Sequence, residues 1–176
     1  MQGKNRLKKY IETGEIVTTF GIKGEVKVYP WCSDASELTG YGVLYLDESG
    51  ERRLEIERAR VQNGMAILKI KGIDDPDEAV KLRGKKLYVS REDIALGEGQ
   101  CLVCDLIGCE VFDADSKERY GEITDVSSTG ANDVYHVKFA DGKERLVPAI
   151  KQVVLEKDTE EGKVIIRPLR GLFDED

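Results

Sequence analysis

The sequence predicts a mainly β chain built as two small β-barrels with short helices between strands. Three observations carry this: many short β-rich runs joined by tight turns, only one well-written helix, and a glycine-bearing, aliphatic-poor stretch near the middle. At 176 residues the chain could form one large domain or two small viable ones. The stretch Ser90–Gln100 (SREDIALGEGQ) reads as a linker, so the expected division is residues 1–92, a link at 93–100, and residues 101–176.

The first half opens with Ile16-Val17-Thr18-Thr19, a β-branched run, followed by Phe20–Val28, FGIKGEVKV. Gly21 and Gly24 bracket two residues, and the charged and aliphatic side chains of Glu25–Val28 then alternate. That pattern is a strand, a glycine turn and a second strand with one wet and one dry face. Val43–Leu46, Leu54–Val61 and Met65–Ile70 are further strands, separated by Asp47-Glu48-Ser49-Gly50 and by the hairpin signal Asn63-Gly64. Asp75 as N-cap, Pro76 at the first position and Glu78 at capping-box spacing write a helix, with Gly84 just past its end. Its apolar members Ala79 and Leu82 make a narrow face suited to covering a barrel mouth. Lys85–Val89 follows as a strand.

The second half has strand runs at Cys109–Phe112, Gly121–Val126, Val134–Phe139, Glu144–Val147, Gln152–Glu156 and Lys163–Ile166. Asp141-Gly142 and Glu160-Glu161-Gly162 supply turns. Strands this short suggest a closed or nearly closed antiparallel barrel. The segment Asp105-Leu106-Ile107-Gly108 is read as a turn leading into the first of them.

Composition describes a soluble globular protein, 40% hydrophobic and 35% charged. No apolar run approaches the ~20 residues needed to span a bilayer, and the basic N-terminus lacks the apolar core of a secretory signal, so a cytosolic location is expected. Net charge is −7, unevenly spread: residues 1–95 hold 17 basic and 16 acidic side chains, and residues 96–176 hold 10 and 18. An acidic C-terminal half repels phosphate and attracts basic proteins, though acidic surface also serves solubility alone.

Catalytic and metal chemistry is thinly supported. Cys101, Cys104 and Cys109 give a single close pair, with Cys32 remote, whereas structural zinc usually takes two pairs. A thioredoxin-like use needs the pair opening a helix after a strand. Buried thiols are the favoured reading. His136, the lone histidine, alternates with Tyr135 and reads as a structural or surface residue. Paired acids such as Asp74-Asp75 sit where helix starts favour them. Gly21-Ile22-Lys23-Gly24 has the spacing of an RNA-clamping loop, but that loop joins helices and this one joins strands. Lys23 and Lys27 remain placed to meet phosphate. Only Tyr29 and Trp31 among the aromatics lie close together.

Six segments in order then point one way: GEIVTTFGIKGEVKVYPW, IDDPDEAVKLRGKKLYV, DLIGCEVFD, YGEITDVSSTGANDVYHV, VPAIKQVVLEKD and IIRPLRGLFDED. The series resembles the ribosome maturation factor RimM family across nearly the whole chain. The resemblance implies an N-terminal six-stranded barrel similar to the second domain of translation factors, and a C-terminal PRC barrel. It implies a non-enzymatic factor, without cofactor or metal, that assists late assembly of the small (30S) ribosomal subunit head and 16S rRNA processing. Its implied partners are small-subunit ribosomal protein nineteen and the maturing particle, with 16S rRNA within it; a monomer and no membrane contact are expected.

On this resemblance the partner-binding candidates are Leu102, Val103 and Asp105 at the entry to the second barrel, Gly130, Asn132 and Asp133 in a turn-rich loop, and Leu172 and Phe173 near the C-terminus. Docking back onto the barrel is the first expectation for Leu172 and Phe173. Gly21, Lys23, Gly24 and Lys27 are candidates for RNA or particle contact. The chain departs from the family at one place: where many members carry a tyrosine pair and a tryptophan before Asp-Leu-Ile-Gly, it has Cys101, Leu102, Val103 and Cys104. A PRC-barrel scaffold working off the ribosome, or a thiol or metal protein using the cysteines, are the alternatives.

Overall fold

The computed structural model describes residues 7–31 and 34–173; Cys32 lies outside them. Residues 8–95 form one compact unit, and the chain from Leu96 onward forms another.

The first unit is a closed barrel. Its strands are β1 (Tyr10–Phe20), β2 (Glu25–Pro30), β3 (Val43–Tyr45), β4 (Arg53–Gln62), β5 (Met65–Ile70) and β6 (Lys86–Ser90). They pair in the order β1-β2-β5-β4-β3-β6, and β6 returns to β1 to close the ring. The alternation read from the sequence sets the inside: Val26, Val28, Ala66, Leu68 and Ile70 are buried in one cluster with Ile16, Leu44, Leu87 and Val89. Each such valine, leucine or isoleucine side chain contributes roughly 1.5–3 kcal/mol when removed from water. Bulges in β1 and β4 let the long strands bend around this core. The Asn63-Gly64 hairpin forms with both residues at positive φ, as a type I′ turn demands.

Two short helices sit between strands. The one read from the sequence is α2 (Pro76–Val80); the Asp75 carboxylate accepts from the Glu78 N–H at 2.9 Å. It ends earlier than Gly84 suggested, because the chain turns back and the Gly84 N–H bonds the Ile16 carbonyl of β1 at 2.7 Å. The other, α1 (Ala35–Thr39), was not expected from the sequence; Asp34 caps it through the Ser36 N–H, and Ala35 and Leu38 are buried.

The second unit contains β7 (Glu110–Asp113), β8 (Arg119–Ser128), β9 (Asp133–Phe139), β10 (Glu144–Pro148), β11 (Val154–Asp158) and β12 (Lys163–Ile166). They form a six-stranded sheet in the order β10-β9-β8-β7-β12-β11 around a core that includes Val111, Ile123, Tyr135, Val137, Val164 and Ile166. An all-antiparallel arrangement was expected. Instead β12 runs parallel to β7, pairing Val164 with Val111 and Ile166 with Asp113. The connection between them contains four strands, ample for the crossover that parallel pairing requires. Gly121 is needed where β8 crosses β9, since a Cβ there would lie 2.0 Å from the Lys138 carbonyl oxygen.

The turn expected at Asp105–Gly108 is also corrected. Val103–Leu106 is one helical turn, α3, with Asp105 and Leu106 buried. The chain leaves it through Gly108, at φ +89°, into β7.

Candidate functional site

The Gly21–Gly24 corner joins β1 to β2 and is built from opposite demands on its two glycines. Both have positive φ, +67° and +78°. Gly21 faces open space, so its requirement is conformational alone. At Gly24 a Cβ would lie 2.6 Å from the Ile73 carbonyl oxygen and 2.8 Å from the Asp75 nitrogen. The corner is thus pressed against the backbone that leads into α2. That backbone is itself fixed by Lys69, buried at the end of β5, whose ammonium donates to the Ile70 and Ile73 carbonyls and meets Asp74 at 2.9 Å. Pressed from behind, the corner projects Ile22 and Lys23 outward, and Ile22 is 84% exposed. Lys27 is half-buried on the outside of β2. Sequence reasoning missed Lys69: its outward position in the strand pattern suggested solvent, and the Ile70 and Ile73 carbonyls with the Asp74 carboxylate make an interior cation tolerable.

At the entry to the second unit, Leu102 is half-buried and Val103 exposed, while Asp105 is buried in α3. The Cys109 thiol is buried and donates to the Asp105 carbonyl at 3.1 Å. Cys101 is half-buried and packs against the core, as expected of an apolar thiol. Cys104 is exposed, contrary to that expectation, and it lies within the helical turn rather than in a loop. Among the described residues no strand precedes α3 in this unit, which is not the βαβ setting of a redox pair. Among the described residues no three His, Cys, Asp or Glu side chains gather as a metal site.

The loop between β8 and β9 carries Gly130, Asn132 and Asp133. Gly130 is exposed at φ +88°. The Asn132 carbonyl accepts from both the Thr129 N–H and its hydroxyl, which ties the tip into a defined hairpin. Asp133 begins β9, exposed, and its carbonyl accepts from the Ala149 N–H at 2.8 Å. Beside this hairpin runs a hydrogen-bonded chain the sequence did not reveal: Ser127 Oγ to His136 Nε2 at 2.9 Å, and His136 Nδ1 to Glu144 at 3.0 Å. Its order is that of a serine triad. The three side chains lie on the neighbouring strands β8, β9 and β10 of one sheet. The arrangement is a cross-strand polar ladder. Two surface depressions, of about 330 and 420 Å³, are lined by residues such as Arg53 with Lys71 and Arg119 with Lys138; neither lining includes Ser, Cys or His.

Leu172 and Phe173 are half-buried and pack on the core of the second unit. The Phe173 ring lies 5.2 Å from that of Tyr120 and 5.0 Å from that of Phe139. The Tyr120 hydroxyl donates to Asp113 at 2.5 Å. That bond, with N–H donors from Ser116 and Asp115, holds the Asp113 carboxyl down at about 2. Burial, reinforced by the same carboxylate, pushes the Tyr120 phenol well above its ordinary value.

Comparison with known proteins accords with this architecture. Residues 11–94 match the RimM N-terminal domain and residues 98–173 match the PRC-barrel domain. A ribosome maturation factor RimM of Clostridioides difficile is 43% identical over 166 residues, 94% of this chain and 96% of that protein. One from Clostridium botulinum (strain Hall) is 45% identical over 165 residues, 93% and 96% of the two chains. A solved 16S ribosomal RNA processing protein RimM from Pseudomonas aeruginosa is 32% identical, covering 90% of this chain and 96% of that one, with a TM-score of 0.46. With both domain models matched in order and relatives above 40% identity over nearly its whole length, the chain belongs to the ribosome maturation factor RimM family.

Proposed function

We propose that this chain is a non-catalytic, cytoplasmic, monomeric assembly factor that assists late maturation of the small ribosomal subunit head and processing of 16S rRNA. The observation that carries the reading is the ordered match of both halves to the family. The second unit engages small-subunit ribosomal protein nineteen, and the corner at Gly21–Lys27 meets RNA or particle. The charge division supports this assignment: the basic and acidic side chains balance in the first half, while the second carries 18 acidic against 10 basic. A basic ribosomal protein is drawn to such a surface. On the second unit the exposed Val103 and the Gly130–Asp133 tip are available to a partner, whereas Leu172 and Phe173 already serve their own core.

Sucrose-gradient sedimentation of the full chain with ribosomal fractions tests the reading. Co-migration with free small subunits and not with mature ribosomes is expected; absence from both fractions overturns it. Binding of purified small-subunit protein nineteen to the full chain at low salt tests the partner, and no binding removes that assignment.

A further inference from the structure

We propose that the outer face of β2, β5 and β4 is a binding surface for single-stranded RNA, with Tyr29 and Trp31 as a base-stacking platform and Lys27 and Arg58, together with Lys23 of the adjoining corner, as phosphate contacts. This deepens the assembly reading above and takes RNA as the strand because of it.

The strand register builds the face. Lys27 pairs with Ile67 and Ile67 with Arg60, so one cation from β2 and one from β4 flank β5 in a single row. Arg58, paired with Lys69, lies one row along. The bulge between Ile56 and Arg58 turns Arg58 and Arg60 outward together, while Ala59 faces the core. At the other end of β2 stand Tyr29 and Trp31, 53% and 50% exposed, their rings edge-to-face at 5.7 Å. Tyr29 lies two positions along the strand from Lys27, roughly 7 Å.

Charge and surface chemistry choose the occupant. Among the described residues, no carboxylate lies within ion-pair distance of Lys23, Lys27 or Arg58. Glu25, the acidic residue of the outer β2 positions, is engaged by Arg60 through two bonds, which hold that guanidinium 5.3 Å from the Phe20 ring centre. Ile67 is fully buried between its cationic neighbours, so the middle of the face offers charge and no apolar area. A protein partner would anchor in an apolar centre; a nucleic-acid strand needs cations beside exposed rings. Rings on a surface can stack only on unpaired bases, which selects a single strand over a duplex.

Trp31 is the chain's only tryptophan and so reports on its own occupancy. The experiment titrates the full chain, followed by tryptophan fluorescence, with a uridine oligonucleotide, a duplex RNA and polyglutamate. Saturable quenching by the oligonucleotide alone is expected, with a slope of log K against log salt near about −2 for three phosphate contacts. The double substitution K27Q/R58Q should lower affinity at least about tenfold and flatten the slope by roughly 1.4. Y29A should weaken binding about tenfold with the slope unchanged. No quenching, equal quenching by duplex, or binding of polyglutamate in place of RNA overturns the proposal. If the chain co-sediments with small subunits yet its tryptophan ignores single-stranded RNA, this surface fails and the assembly reading stands. If RNA quenches and co-sedimentation is absent, the assembly reading fails and the surface stands.

Discussion

The two units reach similar sizes of core by different closures. The N-terminal barrel closes through its backbone, because β6 returns to β1 and no strand is left as an edge. The C-terminal sheet leaves β10 and β11 as its outer strands. It places the aromatic rings of Tyr120, Phe139 and Phe173 together, with the Arg145 guanidinium 4.4 Å from the Phe139 ring centre. A hydrogen-bonded seam is insensitive to any one side chain, whereas a cluster of side chains can be opened at a single residue. The first unit therefore closes without relying on any one side chain, whereas the aromatic cluster of the second includes Phe173.

The sharpest way to break the comparison is to strike backbone contacts in both units. Gly24→Ala must adopt an unfavourable φ and press on the Ile73 carbonyl, which should cost roughly 2–4 kcal/mol. Gly121→Ala should cost a similar amount by separating β8 from β9. Hydrogen exchange read by mass spectrometry should rise in β1 and β2 for the first and in β8 and β9 for the second. Equal acceleration everywhere in both variants would mean the two closures are not independent.

Phe173→Ala comes next. It removes the ring that packs on Tyr120 and Phe139, and should cost about 1–2 kcal/mol, less than a fully buried phenylalanine. Thermal melting would register the loss, and an unchanged midpoint would show that the tail is ornamental to this sheet.

The smallest effect concerns acid. Asp113 is held down at about 2 against an ordinary 3.8, chiefly by the Tyr120 hydroxyl. A lowered carboxyl contributes stability that is present above its unfolded value and lost as pH falls from near 4 through about 2. Tyr120→Phe should remove much of that contribution and move the acid-unfolding midpoint upward, while leaving stability at low pH, where Asp113 is protonated in both states, nearly equal. A midpoint that does not move would show that the remaining N–H donors suffice.

Local chemistry made much of this fold readable in advance. Asp75-Pro76 wrote α2, Asn63-Gly64 wrote its hairpin, and the alternation at Glu25–Val28 set which side of β2 faces the core. What escaped was of two kinds. Helices α1 and α3 have five and four residues, too short to display a period, so only the Asp34 cap marked the first and nothing marked the second. The β7–β12 pairing joins residues about fifty apart, and no local pattern encodes a partner at that distance. Candidate surfaces divided the same way. Lys23 and Lys27 could be placed from the turn and the alternation, whereas Arg58 and Arg60 turn outward because of a bulge visible only in the register.

That parallel pairing also orders events in time. The N-terminal barrel has all its strands by Ser90, but β7 lacks its second neighbour until Lys163–Ile166 has been made. At synthesis rates of roughly 5–20 residues per second, β7 keeps one side unpaired for some 3–10 seconds. A nascent chain thus carries a finished first barrel while the second still waits for the strand that gives β7 its other neighbour.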